Sequence, residues 1–153
     1  MYRKILAPLD GSKLAECVLP HVAALAQASQ VKEVVFVQVF EPFWPPPSDY
    51  VVSEQEIARI NSGNKAAAEN YLQELVNGVH LDGIQKRWEV VSGRVAEALA
   101  DYANKNNVDL IIIATHGRSG VSRWVWGSVA DRILRSSCVP VLMVRAPGCV
   151  PGI

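Results

Sequence analysis

The chain carries no excess of either charge: fifteen basic residues balance fifteen acidic ones. Nothing in that balance suits a nucleic-acid backbone or an anionic membrane surface, so neither partner is expected. Long apolar runs are missing too. Stretches such as Leu110 to Ile113 are far too short for a membrane span. The opening MYRKILAPLDGS meets an aspartate after a few apolar residues and has the pattern of neither a signal peptide nor a transmembrane helix. Cysteine is scarce: Cys17, Cys138 and Cys149 form no CxxC and stand beside no histidine pair. That excludes a disulfide framework and a zinc site, leaving reduced thiols and a cytoplasmic location as the expectation. Catalytic signatures are absent as well. There is no GxxxxGK[ST], no GxSxG, no metal-spaced histidine pair and no paired carboxylates. No catalytic residue and no protein metal ligand is therefore nominated.

What is present is a single domain's worth of alternating elements. With 153 residues, half of them hydrophobic, the chain can bury a full core without staples. The domain is expected to occupy residues 1–146, with 147–153 as a loose tail. Arg3 to Pro8 reads as a first strand, Pro8 sitting at its end where no ladder bond is required. Asp10-Gly11-Ser12 turns the chain, and Ser12 is a candidate helix cap. An amphipathic stripe from Leu14 to about Ser29 follows, interrupted by Pro20, where a kink is expected. Val34 to Phe40 is nearly continuous apolar sequence, the mark of a strand covered on both faces.

Glu41 to Tyr50 (EPFWPPPSDY) holds four prolines and reads as an extended surface loop. Its Phe43 and Trp44 either cover a ligand or partner, or fold back on the edge of the core. A long helix from Ser53 to about Asn77 is weakened at Asn61 to Asn64. Ile84 to Val91 alternates and suits a strand near a sheet edge. Ser92-Gly93-Arg94 leads into a helix ending at Asn106-Asn107. Leu110 to Ile113 then form a buried strand, and Pro140 introduces a last strand, Val141 to Val144.

Strands alternating with helices imply a doubly wound α/β domain, a parallel sheet with right-handed crossovers and helices on both faces. Ligands of such sheets bind beyond the carboxyl ends of the strands, where the strand order switches direction. The fourth strand runs into a glycine-punctuated loop with Gly117 and Gly120, then Gly127-Ser128 at the start of a helix. Glycines admit an anion to the backbone, and a helix N-terminus offers N–H groups to it. Asp10 and Val39 end the first two strands and face the same crevice, where an acidic side chain can accept a ribose hydroxyl. His116 and Arg118 suit either phosphate or solvent. Trp124 and Trp126 are assigned to packing, while Arg132 and Arg135 complement a helix C-terminus.

The segments ILAPLDGS, SGRVAEAL and ATHGRSGVSRWVWGSVADRILRSSCVPVLMV together resemble the universal stress protein family, over nearly the whole chain. The resemblance implies a five-stranded parallel sheet of order 3-2-1-4-5 and a homodimer through the fifth strands, here Val141, Leu142, Met143 and Val144. It further implies, for ATP-binding members, the pattern Gly, two residues, Gly, nine residues, Gly-Ser/Thr. Gly117, Gly127 and Ser128 match it, and Ala114 replaces the first glycine. Carried over on this basis are Pro8, Asp10 and Val39 on the adenosine side, with Ile113 beside the pocket. Gly117, Gly127, Ser128 and Val129 fall on the phosphate side. The implied cofactor is ATP, or AMP or ADP, with Mg2+ or Mn2+ carried on the phosphates. Three functions stay open: a nucleotide-binding regulator of a stress response, a nucleotide-independent interaction protein with an unknown protein partner, and a slow ATPase.

Overall fold

The computed structural model describes residues 2–45, 52–115 and 128–146. Five strands, β1 (Lys4–Leu9), β2 (Glu33–Phe40), β3 (Gln85–Ser92), β4 (Leu110–Ala114) and β5 (Val141–Val144), form one sheet. Its order is β3-β2-β1-β4-β5, and every neighbouring pair is parallel. Four helices connect them: α1 (Leu19–Ala28), α2 (Glu54–Gly78), α3 (Val95–Lys105) and α4 (Ser128–Ser136). From β1 the chain steps outward twice through α1 and α2, then crosses back and steps the other way through α3 and α4. Right-handed crossovers then put α1 and α2 on one face and α3 and α4 on the other.

The side chains sort accordingly. Ile5, Ala7, Leu9, Val34, Phe36 and Ile112 pack with Val22 and Ala26 of α1 and Leu72 and Val76 of α2. Leu6, Val35, Val37, Ile111 and Ile113 pack with Leu99 and Ala103 of α3 and Ile133 of α4. Alternation along each strand thus feeds two cores, which is why β1, β2 and β4 carry almost uninterrupted apolar sequence. β3, at one edge, reads exposed and half-buried by turns along its first residues, as its sequence indicates.

One expectation needs correction. Pro20 does not kink a helix interior. The stripe from Leu14 divides into a 3-10 turn, Ala15–Val18, and α1, with Pro20 in the first turn of α1. There its missing N–H has no helical partner to lose. Asn61 to Asn64 do not interrupt α2, which runs unbroken from Glu54 to Gly78. Ser53 caps its start by accepting from the Glu56 N–H at 3.2 Å. Gly63 meets nothing within 4 Å, so it costs only helix propensity, about 1 kcal/mol relative to alanine.

The two central strands are held together unevenly. At their amino ends Asp109 Oδ2 accepts from the N–H groups of Arg3 and Lys4 at 2.8 and 2.9 Å. The β1–β4 bridges that follow are Ile5↔Leu110 and Leu6↔Ile111, and there they stop. The β1–β2 register continues to Leu9↔Gln38. Toward the carboxyl ends β1 and β4 are therefore no longer joined by ladder bonds. Pro8, expected at the strand's end, instead stands within β1 opposite Val37, beyond the last bridge to β4. A residue without an N–H is tolerated there because the ladder on that side has ended.

Candidate functional site

The carboxyl rim of β1 and β4 is where the strand order switches direction, the place where doubly wound sheets hold ligands. Leu9 lies opposite Gln38, so Asp10 and Val39, each one residue further, sit at the same level of the rim. Asp10 is half-buried, and its Oδ1 accepts from both the N–H and the hydroxyl of Ser12, at 2.9 and 2.6 Å. The Ser12 hydroxyl in turn accepts from the Ala15 N–H at 3.2 Å, so it starts the 3-10 turn rather than α1 itself. Gly11 between them has φ of 81°, a left-handed value that favours glycine. Asp10 is thus a turn residue as well as a rim residue.

Gln38 stands opposite Leu9, beside this turn. Its Oε1 is buried and has no hydrogen-bond partner among the described residues. A buried acceptor left unmade is costly. Nothing in the alternating pattern of β2 distinguishes such a glutamine from an ordinary polar residue at a strand end.

Ile113 and Ala114 end β4, and both are buried. Ile113 belongs to the core under α3 and α4. Ala114 is 8% exposed and belongs to the opposite core, with Leu9, Ala15 and Val18. Among the described residues the non-glycine positions of positive φ are Gln30 and Asn107, so Ala114 keeps an ordinary strand backbone. Thr115 follows, donating its N–H to the Val144 carbonyl at 2.8 Å. Gly117, Gly120 and Gly127, with His116, Arg118, Trp124 and Trp126, lie outside the described residues, as does the tail 147–153. Ser128 begins α4, and Val129 is half-buried beside the α3/α4 core.

A cleft of about 320 Å3 opens on the α3/α4 side, lined by Glu41, Arg94, Val95, Ala96, Val129 and Arg132. Gly93, with φ of 140°, delivers the chain into it while donating its N–H to the Phe40 carbonyl at 3.2 Å. Arg132, assigned from the sequence to a helix C-terminus, stands instead at mid-helix in α4, with one guanidinium nitrogen 3.5 Å from Glu97. Arg94 was passed over in the sequence, because a charged residue in a turn carries no signal of its own.

On the α1/α2 side the Tyr71 hydroxyl donates to Glu16 at 3.3 Å. Burial, reinforced by the Glu16 and Asp10 carboxylates, raises the Tyr71 pKa and keeps that hydroxyl protonated. In the loop after β2, Phe43 exchanges hydrogen bonds with the Asn61 side chain: its N–H donates at 2.6 Å and its carbonyl accepts at 3.4 Å. Trp44 is 78% exposed and does not fold back on the core. Residues 46–50 of that loop lie outside the described residues. Among the described residues no group of three or more His, Cys, Asp or Glu could hold a metal ion, and no helix is long and apolar enough to cross a membrane.

The family model described as the universal stress protein family matches residues 1–145. Universal stress protein MJ0577 of Methanocaldococcus jannaschii is 28% identical over 95% of this chain and 96% of its own length. The solved structure of MJ0577 matches with a TM-score of 0.80, covering 97% of this chain and 99% of that one. A universal stress protein family protein from Arabidopsis thaliana with AMP bound matches at 0.66 with 13% identity, covering 95% and 93% of the two chains. A universal stress protein in complex with cAMP matches at 0.59 with 22% identity, covering 95% and 98%. With sheet order, sequence and a family match over nearly its full length in agreement, the chain belongs to the universal stress protein family.

Proposed function

We propose that this chain is a nucleotide-binding regulatory protein of the stress response, holding ATP at the rim between β1 and β4. The observation that carries the reading is the one-ended opening of those strands, with Asp10 beyond one and Ala114 ending the other. Asp10 accepts a ribose hydroxyl, and the rim at Pro8 and Val39 receives the base. Ile113 backs the pocket from the core. Gly117, Gly127, Ser128 and Val129 hold the phosphates, which carry Mg2+ or Mn2+ with them. The bound nucleotide brings its negative charge to the start of α4, and no residue is assigned a chemical step. AMP in one relative and cAMP in another support an adenine nucleotide as the ligand class.

Ala114 is the departure from the nucleotide-binding pattern, and its surroundings favour binding. Alanine replaces glycine harmlessly where φ is negative and the methyl has room. Both conditions hold, since the backbone is that of a strand and the residue packs into the α1/α2 core. Isothermal titration with Mg–ATP on wild type beside Ala114→Gly tests this. Affinities within about fivefold of each other are expected, because overpacking at the tolerated end costs about 1 kcal/mol. Binding seen in the glycine variant alone would return the chain to the nucleotide-independent interaction proteins.

The working unit is a homodimer joined through β5. Its residues Val141, Leu142 and Met143 are half-buried at a sheet edge with no charged side chain of their own, an arrangement that invites pairing. Sedimentation should find a dimer in wild type and a shift toward monomer in Leu142→Pro. A wild-type monomer at tens of micromolar would refute it.

A further inference from the structure

The cleft between the start of α3 and the start of α4 shares Val129 with the phosphate side of the nucleotide site, and brings to it two arginines, Arg94 and Arg132. Arg94 is the N-cap of α3, with extended backbone angles and no side-chain capping bond. By local rules it is the wrong residue there. N-caps favour Ser, Thr, Asp or Asn, and a cation sits against the positive end of the helix. No acidic partner compensates it among the described residues. Among the described residues the Arg132 guanidinium has an exposed contact with Glu97, a pair too solvated to account for its place. Residues that break a local rule without compensation are found at functional sites. Among the described lining residues Glu41 is the single carboxylate, against two guanidinium groups. Guanidinium forks match phosphate oxygens in pairs, which a lone ammonium does not. The volume of about 320 Å3 lies at the lower end of small-molecule pockets, fitting an extension of a bound nucleotide rather than the whole of it.

We propose that this cleft receives the terminal phosphates of a nucleoside triphosphate, with Arg94 and Arg132 as specificity-determining residues that distinguish it from the monophosphate. The inference rests on the nucleotide reading above and assigns its outer phosphate subsite. Calorimetry on the full chain with Mg–ATP and with AMP tests it, using wild type, Arg94→Gln and Arg132→Gln. Wild type should bind ATP more tightly than AMP. Each substitution should weaken ATP about tenfold, as for one charge-assisted hydrogen bond, and leave AMP within about twofold. Arg94→Gln removes no cap bond, so its melting temperature should match wild type. Equal losses for AMP and ATP, or an unchanged ATP affinity, would overturn the assignment while leaving the nucleotide site standing. A wild type that binds neither ligand would overturn both.

Discussion

The two sides of the rim differ in their charged groups, though neither is of one sign, since Lys13 pairs with Glu16 on the first and Glu97 with Arg132 on the second. On the α1/α2 side stand Asp10 and Glu16, with the Tyr71 hydroxyl between helix and turn. On the α3/α4 side stand Arg94 and Arg132, with Glu41 in the cleft lining and Glu97 against Arg132 among the described residues. Yet the chain as a whole is neutral. Its polarity is local, set by which face of the sheet each crossover serves, and it matches a ligand that is a hydrogen-bond donor at its sugar and an anion at its other end.

Substitutions at four positions test that division, the largest effect first. Asp10→Ala should weaken AMP and ATP alike by about 10- to 150-fold, the worth of a charge-assisted hydrogen bond of roughly 1.5–3 kcal/mol. It should also lower the melting temperature, because the Ser12 bonds are lost. Asp10→Asn keeps an acceptor for that turn, so affinity lost there with stability retained isolates the ribose contact. If Asp10→Ala melts early but binds normally, the acidic side of the rim is structural. The glutamine variants of Arg94 and Arg132 come next, with their loss confined to ATP. The smallest effect belongs to Glu97→Gln. Releasing Arg132 from an exposed pair worth about 0–1 kcal/mol should tighten ATP by up to about fivefold at low salt and leave AMP unchanged. That gain should fade as added salt screens the charges. Tighter AMP in this variant would erase the distinction between the two sides.

Much of the fold was legible because its signals are repetitive. The apolar run of β4 and the helical spacing of α3 each recur over several residues, and the strand order came with the resemblance. Proline and glycine are harder to weigh for one shared reason: their cost depends on neighbours that periodicity does not reveal. Pro20 is harmless in a first turn, and Gly63, on an open helix surface, costs no more than its helix propensity. The site divides the same way. Asp10, Val39 and Ala114 could be named because strand ends define a rim, and the structure brings the first two level with each other. Arg94 could not. Its meaning comes from lying beside Arg132, 38 positions away in the numbering, across two crossovers. Gln38 became notable only when its oxygen proved to be buried without a partner.

The double acceptor at Asp109 has a consequence for the order in which the molecule can be made. It bonds to the backbone of Lys4, 105 residues earlier in the chain. At roughly 5–20 residues per second, synthesis separates the two by about 5–20 seconds. During that interval β1 can pair with β2 but has no β4, and one flank of the sheet's central strand stays open. Contacts this distant in sequence also come late in unassisted refolding, since loop closure precedes their reward. The nascent chain must therefore be shielded longest along the very strand that ends at the rim.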